Sequence, residues 1–414
     1  MLLLAVDAAL WGLWFGAVWM YRPALASRLG ASYSDVNAIM SVPLAAAAAM
    51  QLAIGVLGLQ DRAIAEKPLS VLRRWAVAAR ASYLLAALVL TLVPLDVVGP
   101  RGLLALTTVL FAAGYAAGAV AGVAWSEYMA RGIPDEVKVR YVGVQSVVSN
   151  LSSLGGTVLA GYLLVQGHGV GDYAKLFLYA TLPFVAGLSV FFLLEEAPRG
   201  DGYGAVGGAA VDARLYTAVA LALFAINLPA ALVVPYIMRV WGGDETWVSV
   251  INGSSWIASI ASPMIWSVLI ERLGALRSAA IAVILGALLN AVFPYMPSIG
   301  LQGARAFGMG FVYSGLWLTV FSYLIRDVSS ADRVRGIARV FALQNAVPAA
   351  AMTTGSLAAD YLTGPEAVFI ASLVGLVAAP LFAGAAPRPR SGPEATGGAQ
   401  RRAPGAAPTR APRT

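Results

Sequence analysis

Two short stretches decide the fold: Gly58-Leu59-Gln60-Asp61-Arg62 and Ser267-Val268-Leu269-Ile270-Glu271-Arg272-Leu273-Gly274-Ala275-Leu276-Arg277. They lie about half a chain apart, and each follows the second long apolar segment of its own half. Charges are costly beside a bilayer unless they sit at its surface or are paired. A duplicated placement therefore predicts a membrane protein built as two similar halves.

The surrounding composition agrees. The 414 residues are 59% hydrophobic and 12% charged, with a mean hydropathy of +0.76. A soluble domain carries about a quarter charged residues. Apolar runs of about 20 residues recur along the chain, each long enough to cross the hydrocarbon core. Twelve spanning helices are expected, near 2–21, 36–59, 73–95, 102–126, 141–165, 174–194, 215–238, 246–270, 276–296, 299–325, 337–362 and 366–385. The predicted fold is an all-α membrane protein with twelve transmembrane helices in two pseudo-symmetric six-helix bundles. These bundles are 1–194 and 215–385, joined by a polar, Gly-rich cytoplasmic loop (195–214). The tail, 386–414, is rich in Pro, Gly, Ala and Arg and lacks the apolar surface needed to fold, so it is predicted disordered.

With no cysteine, disulfides and thiolate metal sites are excluded. The one histidine, His168, lies in a Gly-rich loop and reads as a solvated residue rather than a metal ligand. No metal or cofactor is expected. The net charge of +7 is scattered through inter-helix loops, which does not suggest nucleic acid. If the N-terminus is cytoplasmic, all but six of the 28 Lys and Arg residues fall in inside loops and the tail. The exceptions are Arg22, Arg28, Arg101, Lys175, Arg239 and Arg305. Positive-inside bias then places both termini in the cytoplasm of a multi-pass plasma-membrane protein. The start has no basic segment or cleavage signal and reads as the first span.

The halves echo one another elsewhere. Val139-Arg140 and Val334-Arg335 open the fifth helix of each half, with Asn150 and Asn345 at the same spacing and Tyr162-Leu163 and Tyr361-Leu362 near the ends. Their shared order indicates internal duplication.

On these residues the chain resembles the major facilitator superfamily of secondary transporters. Its loop signature after helix 2 runs Gly, Asp-Arg/Lys, Gly and two basic residues. The second half keeps it better: Ser267 replaces the leading Gly, Glu271 replaces Asp, and Arg272, Gly274 and Arg277 are retained. In the first half Asp61-Arg62 is followed by an insertion (63–72) before Arg73-Arg74. The loops before helices 5 and 11, carrying Arg140 and Arg335, resemble the family's basic loops. The resemblance makes Asp61, Arg62, Arg131, Arg140, Glu271, Arg272, Gly274, Arg277 and Arg335 cytoplasmic gate candidates. Asp61 is expected to face Arg140 or Arg131 at a neighbouring helix N-terminus; the alternative is plain interfacial charge. The antiporter signature of helix 5 is unmet, with Gly155-Gly156 alone present.

In the resembled fold helices 1, 4, 7 and 10 line a central cavity. On helix 1, Asp7, Trp11 and Trp14 share one face, and Asp7 is read either as a proton or cation site or as the partner of a nearby basic group such as Arg80. Gly12 and Gly16 are placed for close helix approach. Arg305 on helix 10 partly resembles an Arg-Gly signature that normally lies on helix 4. It is read as a clamp for a carboxylate or phosphate, or as a snorkelling residue. Tyr115, Asn227, Tyr236, Tyr313 and Trp317 complete the substrate candidates. Gln145, Asn150, Asn252, Gln344 and Asn345 read mainly as interhelical contacts. Pro229 and Pro235 are expected to kink helix 7. Trp19, Tyr21 and Trp241 read as interfacial anchors.

The expected function is a secondary active or facilitative transporter of a small solute, working by rocker-switch alternating access, with proton coupling left open. Membrane lipids are expected partners and a monomer is the expected state. The alternative is a receptor-like or scaffold protein that kept the fold without transport. The chain has no Gly-x4-Gly-Lys-Ser/Thr phosphate loop, and one His with few intramembrane acids cannot assemble a catalytic set, so an enzyme is not expected.

Overall fold

The computed structural model describes residues 2–165, 167, 169–196, 213–327, 333–361 and 364–385, and only the backbone of 135–140, 213, 321–327, 333 and 385. His168, most of the central loop and the tail lie outside the described residues. Every regular element among the described residues is helical. The first half contains α1 (Leu2–Ala17), α2 (Arg22–Arg28), α3 (Tyr33–Gly55), α4 (Asp61–Glu66), α5 (Pro68–Leu92), α6 (Leu95–Gly132), α7 (Asp135–Val165), α8 (Val170–Ala186) and α9 (Leu188–Leu193). The second contains α10 (Ala213–Asn227), α11 (Ala230–Arg239), α12 (Glu245–Leu273), α13 (Ala275–Ala291), α14 (Ile299–Asp327), α15 (Arg333–Tyr361), α16 (Gly364–Ala371) and α17 (Ala378–Ala385). Nine stretches of the described residues are long and apolar enough to cross a membrane, and α13 is a shorter apolar helix.

Local chemistry explains the boundaries. Ser32 caps α3 by accepting from Asp35 N at 3.1 Å, while the Asp35 carboxylate accepts from Ser32 N at 3.1 Å. Asp244 caps α12 through Thr246 N and Trp247 N. Gly274 ends α12 at φ +85°, a left-handed value that suits glycine. The expected kink of helix 7 appears as the break between α10 and α11 at Leu228-Pro229. One boundary needs correction: α5 starts at Pro68, so the third span begins before the predicted 73, and residues 63–66 of the insertion complete α4.

The first half packs around Trp14, Tyr21, Tyr83, Phe111, Tyr173 and Phe177, and much of the second around Leu215, Trp266, Val283, Val312 and Phe382. Gly12 and Gly16 of α1 lie against the carbonyls of Ser149 and Ser153 on α7. A Cβ at either position would collide with that backbone, so the predicted glycine pair does set a close helix approach.

Two antiparallel helix pairs tie the halves together. Along α3 and α15 the contacts run in reverse order: Ser34 N to Asp360 Oδ2 (2.9 Å), Asn37 to Thr353 (3.1 Å), Gln51 to Asn345 (2.8 Å), Arg339 to Gly55 O (3.0 Å) and Asp61 to Arg335 (2.7 Å). Along α7 and α12, Asn150 donates to Ser259 O at 3.3 Å and Trp256 Nε1 to Thr157 Oγ1 at 3.1 Å. Asn150 and Asn345, matched in the sequence by spacing, thus each bridge to the other half of the chain.

A candidate transport site between two seals

An aromatic ladder spaced by four residues runs along α1 and into the turn after it, and meets the second half at Phe15. Trp11 stacks on Phe15 with ring centroids 4.8 Å apart, Phe15 lies 6.0 Å from Trp19, and Trp19 stacks on Tyr115 of α6 at 4.3 Å. Trp256 of α12 meets Phe15 edge-on at 5.9 Å. Tyr313, midway along α14, hydrogen-bonds Gln344 of α15 and is close enough to Tyr115 to interact electrostatically. Tyr313 is 41% accessible, and Tyr115 is also partly accessible. These side chains therefore present reachable aromatic surface where the two halves meet. Such a surface, aromatic with a few polar groups, suits a small organic ligand.

The remaining candidates divide differently. Asp7 is 9% exposed and pairs with Arg80, which also donates to Phe184 O at 2.8 Å and lies over the Phe184 ring. Trp14 is 1% exposed in the first-half core and donates to Thr181 Oγ1 at 3.1 Å. The face predicted to be shared therefore straddles a boundary: Asp7 and Trp14 point into the first half, and Trp11 joins the ladder. Arg305 donates to Asn290 Oδ1 (2.7 Å) and Leu289 O (3.0 Å) and lies over the Phe293 ring, all within the second half. It is buried rather than snorkelling. Asn227 bonds Leu223 O of its own helix at 2.8 Å, and buried Tyr236 packs on Phe293 and Phe369 with its hydroxyl 3.5 Å from Glu366. Trp317 packs on Phe341, 5.8 Å away.

At one end of the bundle Asp61 accepts from Arg335 Nη2 at 2.7 Å and Nε at 3.1 Å. The Arg335 guanidinium holds the Asp61 carboxyl below its ordinary value of 3.8. Gly58, at φ +71°, lies beside both side chains, and a Cβ there would sit 3.3 Å from each. This corrects the expected partner. Asp61 meets Arg335 rather than Arg131, which binds Glu127 of its own helix at 2.7 Å. The reason is that α3 packs along α15. The side chain of Arg140 lies outside the described residues. Arg62 points outward and pairs with Glu66 at 2.7 Å, while Glu271, Arg272 and Arg277 are exposed.

The other end holds residues that no sequence motif marked. Arg28, at the end of α2, binds Glu245, in the first turn of α12, through two 2.6 Å bonds. Tyr173 donates to the same carboxylate at 2.9 Å, and Glu245 is fully buried. Tyr21, expected as an interfacial anchor, is fully buried and reaches Ser249 Oγ and Thr157 O. Trp19 is likewise buried. Arg239 donates to Ala31 O and lies 5.0 Å over Tyr33. The Asp244-Glu245 pair was the available signal. It looks like two helix-start acids, but only Asp244 caps the helix.

No protein-family model and no curated protein matches the sequence. Solved structures do match its shape. A D-xylose-proton symporter aligns with TM-score 0.69 at 15% identity, over 92% of this chain and 96% of that one. The xylose transporter XylE from E. coli, in a partially occluded inward-open conformation, gives 0.67 at 12% identity over 93% and 97%. A point mutant of the nucleoside transporter NupG gives 0.64 at 11% identity over 93% and 99%. The fold is thus of the major facilitator type, that of a multi-pass membrane protein, as the sequence resemblance implied.

Proposed function

We propose that the chain is a secondary transporter of a small solute, with twelve spans in two six-helix bundles (1–194 and 215–385) that rock about a central site. One observation carries this reading: polar contacts between the halves occur at both ends of the helices, with a set of aromatic side chains, some of them accessible, between them. Opening one end while the other stays sealed is what alternating access requires. The Asp61 end is cytoplasmic in this reading, with both termini inside the plasma membrane, and the Glu245 end faces outward. Trp11, Phe15, Tyr115, Tyr313 and Trp317 contact the solute. Asp7, Trp14, Tyr236 and Arg305 instead hold each bundle together, and Asn227 bonds its own helix.

The solved neighbours that transport D-xylose or nucleosides supply the first substrates to test. Sugar rings and bases both present faces suited to aromatic contact, and neither needs a charged partner. Purified protein in proteoliposomes should accumulate D-xylose or a nucleoside. Imposing a proton gradient shows whether uptake is proton-coupled. Tyr313→Phe and Trp11→Ala should raise KM for that solute, whereas Asn227→Ala should leave KM unchanged. Absence of flux for sugars, nucleosides and other small solutes would overturn the reading and leave the non-transporting alternative.

A further inference from the structure

Arg22 stands inside the first-half helices with most of its donors unused. It is 4% exposed, and its Nε and Nη1 atoms are buried with no hydrogen-bond partner. Nη2 alone is engaged, donating to Ile39 O at 2.5 Å and approaching Met40 Sδ at 3.4 Å. The guanidinium is sandwiched by aromatic rings, 3.7 Å from the Trp19 centroid and 4.5 Å from that of Phe111. Among the described residues it pairs with no carboxylate. Every other buried arginine in the described structure has stronger partners: Arg80 has Asp7, and Arg305 has Asn290 and Leu289 O. A desolvated cation whose N–H groups lack acceptors is costly, and an anion that accepts from them removes the cost.

The space beside Arg22 defines the size of that anion. A small, partly open cavity of about 10 Å³ lies between Arg22, Thr107, Thr108 and neighbouring apolar side chains. This is room for one guest of about water size, so a halide enters only as the apolar walls give by a few tenths of an ångström, and an organic acid does not fit. Both threonine hydroxyls donate to carbonyls one turn back, Thr107 to Leu103 O and Thr108 to Leu104 O. The donors that remain for a guest are therefore those of Arg22. Leu104 also lines a second cavity, an open groove of about 370 Å³ that includes Gly30, Asp35 and Arg101. The Asp35 carboxylate there already caps α3, and exposed Arg101 adds positive charge at the rim. The Leu104 side chain is thus all that the two cavities share as a wall.

From this geometry we infer that Arg22 is the core of a binding site for a small inorganic anion of halide size. The site lies within the first-half helices, directly behind the aromatic ladder with which it shares Trp19, and is reached past Leu104 from the groove at the Glu245 end. Edge-on approach to Nε–H and Nη1–H is enforced because Trp19 and Phe111 cover the guanidinium faces. The inference is independent of whether the chain transports a solute.

Thermal unfolding of the full-length protein in detergent, in chloride or bromide against gluconate at equal ionic strength, tests it. At ten times its Kd a halide should raise the melting temperature by about 2 °C. Iodide should quench tryptophan fluorescence through Trp19. Arg22→Gln should abolish the halide shift, and Arg22→Lys should retain part of it. Identical melting of the wild type in halide and gluconate, as expected if water alone occupies the cavity, overturns the proposal. So does a wild-type halide shift in Arg22→Gln, or an equal effect of benzoate. If Arg22→Gln does not fold, crystals of the wild type soaked in bromide decide: an anomalous peak within hydrogen-bonding range of Arg22 Nε or Nη1 supports the site, and its absence there refutes it.

Discussion

The two ends of the bundle are closed by ion pairs of opposite character. At one end Glu245 is fully buried, held by two arginine bonds and a tyrosine hydroxyl. At the other, the Arg335 and Asp61 side chains are 53% and 25% exposed. Helix dipoles widen the difference. Glu245 sits in the first turn of α12 and Arg28 in the last turn of α2, so each charge complements its own helix end. Arg335 sits in the first turn of α15, where the dipole disfavours a cation until a carboxylate joins it. Exposed pairs contribute about 0–1 kcal/mol, whereas breaking a buried pair costs about 3–5 kcal/mol because one charge is stranded. The Glu245 pair is therefore the stronger one, and under the proposed alternating access the Asp61 end is expected to open first.

The largest effect tests that ranking directly. Glu245→Gln should destabilise the closed state by about 3 kcal/mol, the lower end of that range, because the Arg28 side chain keeps 35% exposure. The chain has no cysteine, so a single introduced cysteine reports on one position. Ala31→Cys should become reactive towards a membrane-impermeant thiol reagent when combined with Glu245→Gln and stay protected when combined with Asp61→Asn. Equal labelling in the two backgrounds would erase the asymmetry.

Arg28→Lys keeps the charge and loses the two-pronged geometry, so a loss of about 1 kcal/mol is expected. Tyr173→Phe removes one hydrogen bond to a charged acceptor and should cost about 1–2 kcal/mol. A double-mutant cycle with Glu245→Gln should show strong coupling, since the tyrosine has no carboxylate to serve once Glu245 is neutral. Additive losses in the melting curves would mean that Tyr173 acts through packing alone.

How much of this was legible follows the same division. The Asp61 end was found from its duplicated loop, because a charge beside a bilayer stands out against apolar neighbours. Its partner was misassigned, since pairing α3 with α15 is a tertiary fact no local spacing encodes. Gly58 shows the loop's logic: a left-handed turn leaves room for the ion pair, and the same spacing was visible as Gly58-x-x-Asp61. The Glu245 end was missed because acids at a helix start and arginines at a helix end are what capping alone predicts. Burial converts them into a lock, and burial is set by the opposing half. The same holds for Arg22, which reads as a loop cation until Trp19 and Phe111 close over it. The aromatic ladder was legible in principle, because Trp11, Phe15 and Trp19 repeat every four residues. An intramembrane acid such as Asp7 gives the louder signal on the same helix, although its charge is spent on Arg80.

The smallest effect is the most selective probe of the weak seal. Asp61→Asn should cost at most about 1 kcal/mol of stability, and raised salt should mask it. Its pH dependence has a definite sign. Arg335 lowers the folded-state pKa of Asp61, so the unfolded chain takes up the proton first as pH falls. The pair's contribution is complete above the ordinary value of 3.8 and declines as the pH drops below it. Ala338, one turn along α15 from Arg335, is fully buried in a hydrophobic cluster made mostly of first-half side chains. With a pyridyl disulfide, which reacts with thiols in acid, and with rates taken relative to a free thiol at the same pH, Ala338→Cys should therefore gain reactivity as the pH is lowered through that window. In the Asp61→Asn background its labelling should be fast throughout and lose that pH step. Because Glu245 is buried beneath Arg28 and Tyr173, labelling of Ala31→Cys should not follow the same titration. A shared pH profile at positions 31 and 338 would show that the two ends open together, which alternating access forbids.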